Sequence, residues 1–211
     1  MHIRLIQRGL SSLTLILLVA TLAGTGCAGS GGNKSDLPER IEQDGYSFMS
    51  PAEPQWFIAE RSRSRITLAK VGRVDGETFL IEGTHLSLDT LSDPSELTRF
   101  VEDLQKRDLP APRFRIRQHD VSPLSIAGAQ CALTHIVAED RDPGTGSNVV
   151  TALLLESVGT VCMHPDDPRM GVSLAFTHRS FPEDRDRGFE AAATGLLQTQ
   201  QFDQLQTNTG N

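Results

Sequence analysis

Residues 130–140 of the chain, Gln-Cys-Ala-Leu-Thr-His-Ile-Val-Ala-Glu-Asp, form one of four extended runs that decide the fold. In the first of these runs Phe114 and Ile116 alternate with arginines, a period of two that is typical of a β-strand. Proline, glycine and aspartate gather between the later runs and favour turns. The pattern predicts a four-stranded meander made of Arg113–Arg117, Gln130–Asp140, Val149–Met163 and Met170–Arg179.

A helical pattern stands on each side of this meander. Pro94–Arg107 follows Asp93, which can cap a helix, and Glu96 is placed three residues after that cap, as a capping box requires. The second helix is predicted over about Arg185–Gln201. Its apolar face is made of Phe189, Ala192, Ala193, Leu196 and Leu197.

Shorter extended runs precede the first helix, among them Tyr46–Met49 and a run that opens at Trp56. Ile66–Val71 and Glu77–Glu82 flank Asp75-Gly76, a pair that is typical of a tight hairpin turn. Strands, a helix, a meander and a final helix together predict an α+β fold, in which helices flank an antiparallel sheet.

The region from about Leu37 to Phe202 resembles the PsbP-like domains found in many bacterial envelope lipoproteins. The resemblance rests on Gly45-Tyr46-Ser47-Phe48 with Pro51 and Trp56, on Cys162-Met163-His164-Pro165, and on Thr177-His178-Arg179. It implies an α/β/α sandwich, and accessory or binding roles more than catalysis.

The first 26 residues have the pattern of a secretory signal peptide. A basic start with Arg4 and Arg8 precedes the apolar run Leu13–Ala20, which is too short for a comfortable membrane span. Gly24-Thr25-Gly26-Cys27 resembles a bacterial lipobox, although Gly24 stands where that family prefers Leu. We therefore expect cleavage before Cys27 and acylation of its thiol. The alternatives are an ordinary secretory signal with an incidental cysteine and an uncleaved membrane anchor.

The remaining chain divides into a tether at residues 27–36, one globular domain at 37–205 and a disordered tail at 206–211. Acyl chains on Cys27 would hold the domain at a bilayer. Lipoproteins kept in the inner membrane usually have Asp after the cysteine. Because Ala28 follows here, the resemblance favours the outer membrane, facing the periplasm.

The acidic composition argues against nucleic acid as a partner. The formal net charge is −7, and loss of the leader, which holds Arg4 and Arg8 but no acid, makes it −9. General nucleic-acid binding depends on the neutralisation of phosphates by basic residues.

Cys131 and Cys162 are the two cysteines besides Cys27. In an oxidising compartment they could form a disulfide, and two buried free thiols are the alternative. A hairpin turn centred near Pro143-Gly144 would place Cys131 opposite Ser157 or Val158. A disulfide would then require a bulge, which Gly159 could supply, or a shifted register.

The sequence predicts no catalytic residue, no metal and no cofactor. Cys162, His164, His135 and His178 are residue types that bind zinc, but they come from three separate segments without a second close pair. There is no Gly-x-Ser-x-Gly elbow, and the paired acids lie where turns and helix caps favour them.

Two sets of arginines recur at a spacing of two residues. If their strands were neighbours, they would form a basic patch for an anion or an acidic partner. The alternative is a solvated strand face whose charge discourages edge pairing. The residues are Arg61, Arg63, Arg65, Arg113, Arg115 and Arg117.

Together these features predict a lipid-anchored, non-catalytic envelope module that binds an unidentified envelope protein or polymer. One alternative is a periplasmic hydrolase or metal-dependent enzyme whose site is assembled from scattered residues. The other is a structural lipoprotein of an outer-membrane assembly.

Overall fold

A computed structural model of the protein describes residues 37–74, 76–89, 91, 93–141 and 152–205. The predicted leader, Cys27, the tether and the tail lie outside these residues, as do Asp75 and the turn at 142–147. No helix among the described residues is both long enough and apolar enough to cross a membrane.

Seven of the described strands form one antiparallel sheet. They are β3 (Phe57–Arg61), β4 (Arg65–Val71), β5 (Thr78–Ser87), β6 (Phe114–Ile126), β7 (Ala129–Asp140), β8 (Leu153–Met163) and β9 (Met170–Ser180). Their order across the sheet is β3-β4-β5-β9-β8-β7-β6. The predicted meander is confirmed, because β6 to β9 are neighbours in sequence order, and so is the hairpin of β4 and β5.

One side of this sheet, the inner face, carries the main core. Alternate residues such as Leu68, Leu174 and Phe176 point to this side and are buried. A three-stranded sheet packs against them, made of β1 (Arg40–Gln43), β2 (Tyr46–Met49) and β10 (Gln201–Phe202), together with helix α2 (Phe189–Leu197).

The opposite side, the outer face, carries helix α1 (Leu97–Asp108). Leu97 and Val101 pack on Ala132 of β7 and on Val161 and Met163 of β8, which alternate with inner-face residues along those strands. The described elements are therefore mostly antiparallel sheet with two helices, and the predicted α+β class is confirmed.

The second helix is shorter than the sequence predicted. The backbone at Arg185 is extended (φ −56°, ψ 122°), and the Asp186 carboxylate accepts the Gly188 N–H at 2.8 Å, so α2 starts only at Phe189. After Leu197 the chain leaves the helix, and Gln201–Phe202 pairs with β2. A side-chain hydrogen bond before the helix and strand pairing after it therefore limit α2 to less than its helical period predicts.

The first helix also begins later than expected. A 3₁₀ turn occupies Pro94–Glu96, and the α-helix starts at Leu97. The Asp93 carboxylate accepts the N–H of Ser95 at 2.8 Å within this turn. Asp93 thus caps the 3₁₀ turn rather than the α-helix.

Candidate functional site

The outer face of the large sheet is only half covered. Helix α1 packs on β6, β7 and part of β8, while alternate residues of β4, β5 and β9 on the same face stay partly exposed. We call this surface the open strip. Its residues are Thr67, Ala69, Leu80, Glu82, Thr84, Ser173, Ala175 and Thr177.

The strand register fixes the middle of the open strip. Glu60 of β3 pairs with Thr67, Thr67 with Glu82, and Glu82 with Ala175, so these four residues form one row across the sheet. The row continues onto β8, where Gly159 is Ala175's partner. Because cross-strand partners point to the same side, the row carries carboxylates from two strands on the outer face.

Small side chains make the open strip a shallow depression beside helix α1. Ala69, Ser173 and Ala175 rise little above the backbone, whereas α1 stands beside them as a wall over β7. Three strands at about 4.8 Å spacing make a strip roughly 10–15 Å wide. That width suits one extended segment or one helix of a partner.

An apolar corner adjoins the acidic row on the same face. Phe57 pairs with Ala69, which pairs with Leu80, and this row lies two residues along the strands from Glu82. Phe57 is 49% exposed, and Val71, one step further along β4, is 67% exposed. An apolar contact and a charged contact are therefore available side by side.

Glu82 is the carboxylate that lies deepest in the open strip. Burial raises its pKa, and Glu60 and Asp108 raise it further, although Arg65 acts in the opposite direction. The carboxylates of Asp140, Glu156 and Glu77 each have an Arg or His side chain at ion-pair distance, whereas none of the ion pairs among the described residues involves Glu82. Its negative charge is thus only partly compensated by its own fold.

A second polar cluster lies on the inner face and is closed. Both carboxylate oxygens of Glu156 accept from Arg185, at 2.7 and 2.9 Å, and His135 Nε2 lies 2.9 Å from Oε1. Burial by itself would raise the pKa of Glu156, but the hydrogen bonds from Arg185 and His135 outweigh it and lower the pKa. This cluster ties the segment before α2 to β7 and β8.

His178 lies beside that cluster in a similar closed pair. Its Nε2 is 3.0 Å from Glu77 Oε1, and its ring stacks on Phe79 with the centroids 4.2 Å apart. Burial would raise the pKa of Glu77, but the Arg73 N–H and His178 together lower it. Both histidines therefore have structural partners within the core.

The four residues considered as zinc ligands are not brought together. Cys162 is in a disulfide, and His164 Nε2 lies 3.0 Å from the Gly45 carbonyl oxygen. His164 follows the end of β8, whereas His178 pairs with Glu156 near its start. Within the part of the chain that the structure describes, no three His, Cys, Asp or Glu side chains form a metal-binding group.

Cys131 and Cys162 are direct cross-strand partners and form a disulfide. The expected register, with Cys131 opposite Ser157 or Val158, is wrong. The observed register is centred on residues 146–147, three residues later than Pro143-Gly144, so the disulfide forms through the shifted register that the sequence left open and not through a bulge at Gly159. The disulfide was one of the two outcomes left open by the sequence.

The condition for a single basic patch, that the two arginine-bearing strands are neighbours, is not met, because the two sets of arginines lie towards opposite edges of the sheet. Arg115 and Arg117 lie at the start of β6 and Arg113 lies immediately before it, while the other set lies at β3 and β4. That other set is not even on one strand, since β3 ends at Arg61 and β4 begins at Arg65.

Acidic or carbonyl partners also occupy most of these arginines. Arg113 binds the buried Asp140 through two hydrogen bonds of 2.9 Å, and Arg117 pairs with Glu139. Others behave in the same way: Arg115 lies 3.8 Å from Glu139, Arg63 is 2.9 Å from Asp44, and Arg61 donates to the Glu42 carbonyl at 2.6 Å. The arginines mainly hold strand edges and turns in place.

The sequence contained a signal for the open strip. In Met170–Ser180 the buried residues Val172, Leu174 and Phe176 alternate with Ser173, Ala175 and Thr177. This alternation marks one apolar face and one face of small, partly polar residues. The alternation does not predict how much of the second face α1 covers, because tertiary packing determines that coverage.

Comparison with known proteins gives no family. No family model and no curated protein matches the chain. It is similar to the solved structure of the Ran-binding protein Mog1p of Saccharomyces cerevisiae, with 14% identity, 76% of this chain and 90% of that chain covered, and a TM-score of 0.48. A structure from Bacteroides thetaiotaomicron VPI-5482 has 12% identity, coverage of 79% and 48%, and a TM-score of 0.40.

Proposed function

We propose that the protein is a lipid-anchored module of the bacterial cell envelope, without catalytic activity, that binds a partner through the open strip. The observation that carries the binding role is the half-covered outer face, where Glu60, Glu82 and the apolar corner around Phe57 are presented together. Exposed apolar groups beside charged ones are typical of interaction surfaces.

Two features support an exported location for this module. The leader that precedes Cys27 has the composition of a lipoprotein signal. The disulfide between Cys131 and Cys162 suits an oxidising compartment such as the periplasm. In this proposal the acyl chains on Cys27 hold the domain at the outer membrane, with the open strip facing the periplasm.

The finer fold assignment, a PsbP-like α/β/α sandwich, belongs to the same proposal. It is supported by helix α1 on the outer face and α2 on the inner face of one antiparallel sheet. The small sheet of β1, β2 and β10 lies beside α2 and is an extra element that a plain three-layer sandwich does not have.

The closed state of the inner-face clusters supports a non-catalytic role. A general base must be within reach of a substrate proton. His135 instead lies between Glu156 and Glu190, and His178 pairs with Glu77. His135, Glu156 and His178 are all buried. Their interactions position the segment before α2, which is a structural task.

Site-specific photocrosslinking in intact bacterial cells tests the binding role. A photoreactive amino acid at Thr177 would probe the open strip, and one at the exposed Ala192 of α2 would be the matched control on the other side of the sheet. We expect a discrete adduct with an envelope protein from Thr177 and none from Ala192. Equal adduct patterns from both positions, or no adduct from either, would contradict the proposal.

A further inference from the structure

We infer that the partner presents a basic side chain two residues away from an apolar one in an extended segment of polypeptide, with the basic group bound by Glu82. This inference rests on the proposed function and names the chemistry of the partner at the same surface. It starts from the charge of the open strip and not from its shape alone.

Acidic groups outnumber basic ones around Glu82. Glu60 lies in the same row, and Asp108 at the end of α1 is near enough to act on Glu82 electrostatically. Arg65 is the one cation among the groups that shift the pKa of Glu82, and the pKa is nevertheless raised. An added ammonium or guanidinium group would therefore be attracted to this position.

Burial makes the contact with Glu82 stronger than that of an ordinary surface carboxylate. Its side chain lies between Thr67 and Ala175 in the middle of the row, and not at the edge of the sheet. Hydrogen bonds between ionised groups are strong where water is partly excluded, since screening is weaker there. An ammonium group could reach the carboxylate because both flanking residues are small.

The spacing of the apolar corner favours an extended peptide. Leu80 and Phe57 lie one row from Glu82, which is two residues along a strand, or roughly 6.6 Å. In an extended peptide, side chains that point to the same side are also two residues apart. If a basic residue of the peptide binds Glu82, the peptide residue two positions away therefore lies over Leu80 and Phe57.

The geometry therefore selects a polypeptide over an anionic membrane surface or an acidic polymer. Those partners would require a free basic surface, whereas most of the arginines lie in ion pairs and turns near the two sheet edges. Arg65 lies on the outer face of β4, but Glu60 and Glu82 in the adjacent row outnumber it. An acidic partner would also be repelled by Glu60 and Glu82.

Fluorescence anisotropy on the full-length acylated protein in non-ionic detergent tests this inference. The probe is a labelled peptide with a Lys and a Leu two positions apart in a Ser-Gly background. We expect saturable binding that weakens as salt is raised, and a loss of roughly tenfold or more in affinity in the Glu82→Gln variant. Glu183→Gln, an exposed acid on the turn before α2, is the matched control and should bind as the unaltered protein does.

Changes in the peptide test the same contact with the unaltered protein, so the result does not depend on whether Glu82→Gln folds. Replacement of its Lys by Gln should weaken binding as much as Glu82→Gln does, and replacement by Glu should abolish it. Three results would overturn the inference. The first is equal binding of the Lys and Glu peptides, and the second is undiminished binding of the Lys peptide by Glu82→Gln. The third is that the protein binds peptidoglycan fragments but not the basic peptide. A Thr177 adduct with an acidic segment would overturn it as well, while leaving the proposed binding role intact.

Discussion

Tyr46 lies so close to Gly83 that a methyl group at Gly83 would come within 2.5 Å of the Tyr46 hydroxyl oxygen. The Tyr46 ring is fully buried between the small sheet and the inner face, so it has no room to move away. Glycine at position 83 thus allows the small sheet to dock on β5. We expect Gly83→Ala to lower the free energy of unfolding by about 1–3 kcal/mol, measured by urea unfolding.

Two further variants separate this contact from a general effect of alanine. The Tyr46 hydroxyl has no hydrogen-bond partner among the described residues, so Tyr46→Phe should cost little and should reduce the penalty of Gly83→Ala in the double variant. Gly195 of α2 has open space around it, and Gly195→Ala should stabilise by about 0.5–1 kcal/mol. Additive effects of Tyr46→Phe and Gly83→Ala would argue against the contact.

The disulfide between Cys131 and Cys162 closes a loop with a sequence separation of 31 residues. Constraint of such a loop in the unfolded chain is worth roughly 3–4 kcal/mol. We expect the double Cys131→Ala, Cys162→Ala variant to unfold at lower urea concentration by that free energy. Thiol counting on the unfolded, unreduced Cys27→Ser chain should find no free thiol, and two titratable thiols would refute the pairing.

The local patterns predicted strands and helices well, but not how far each extends or which strands become neighbours. The period of two in Met170–Ser180 and the Asp-Gly pair before β5 are local signals, and both strands formed where expected. The start of α2 depends on Arg185, whose partner Glu156 lies 29 residues earlier. Such a contact leaves no trace in a local window of sequence.

The same reason explains why the sequence left open whether the arginines form one patch. Their spacing of two residues correctly indicated extended chain around Arg113–Arg117, but sheet order decides whether two strands are neighbours. Strands β3 and β6 are the two edge strands of the sheet, with β4, β5, β9, β8 and β7 between them. The open strip was missed for a related reason, since its exposure depends on where α1 packs.

Removal of the Arg185 guanidinium should destabilise the protein in a manner that depends on pH. Glu156 is 2% exposed and would lose two of its hydrogen bonds, so Arg185→Gln should cost about 1–2 kcal/mol at neutral pH, with allowance for the solvent exposure of Arg185. The neighbouring exposed Arg187→Gln variant is the control and should unfold as the unaltered protein does.

The sign of the pH effect follows from the lowered pKa of Glu156. The stabilisation is complete above the ordinary carboxyl value of 4.5 and is lost as the pH falls through the lower value of the folded state. The difference between Arg185→Gln and the unaltered protein should therefore shrink in acid, measured by urea unfolding at pH values on both sides of that range. A constant difference would show that Arg185 acts through packing and not through the charge of Glu156.

Replacement of the proposed acylation site should change the location of the protein and not its fold. Cys27→Ser removes the thiol that would carry the lipid, so we expect loss of metabolic labelling by radioactive palmitate and release from the membrane fraction. The circular dichroism spectrum should be unchanged, because Cys27 precedes the domain at 37–205. Persistence of the variant in washed membranes would refute the anchor.

Glu82→Gln should separate stability from binding. The pKa of Glu82 is raised, so the ionised carboxylate makes folding less favourable as the pH rises through the folded-state value. The neutral amide does not carry this penalty, so the variant should be at least as stable as the unaltered protein at pH 7 and should lose less stability between pH 4 and pH 7. Urea unfolding across that range measures both, with Glu183→Gln as the control of equal charge. A variant that is more stable but binds the basic peptide more weakly would mean that the carboxylate serves the partner and not the fold, whereas a marked loss of stability at pH 7 would assign Glu82 a structural task.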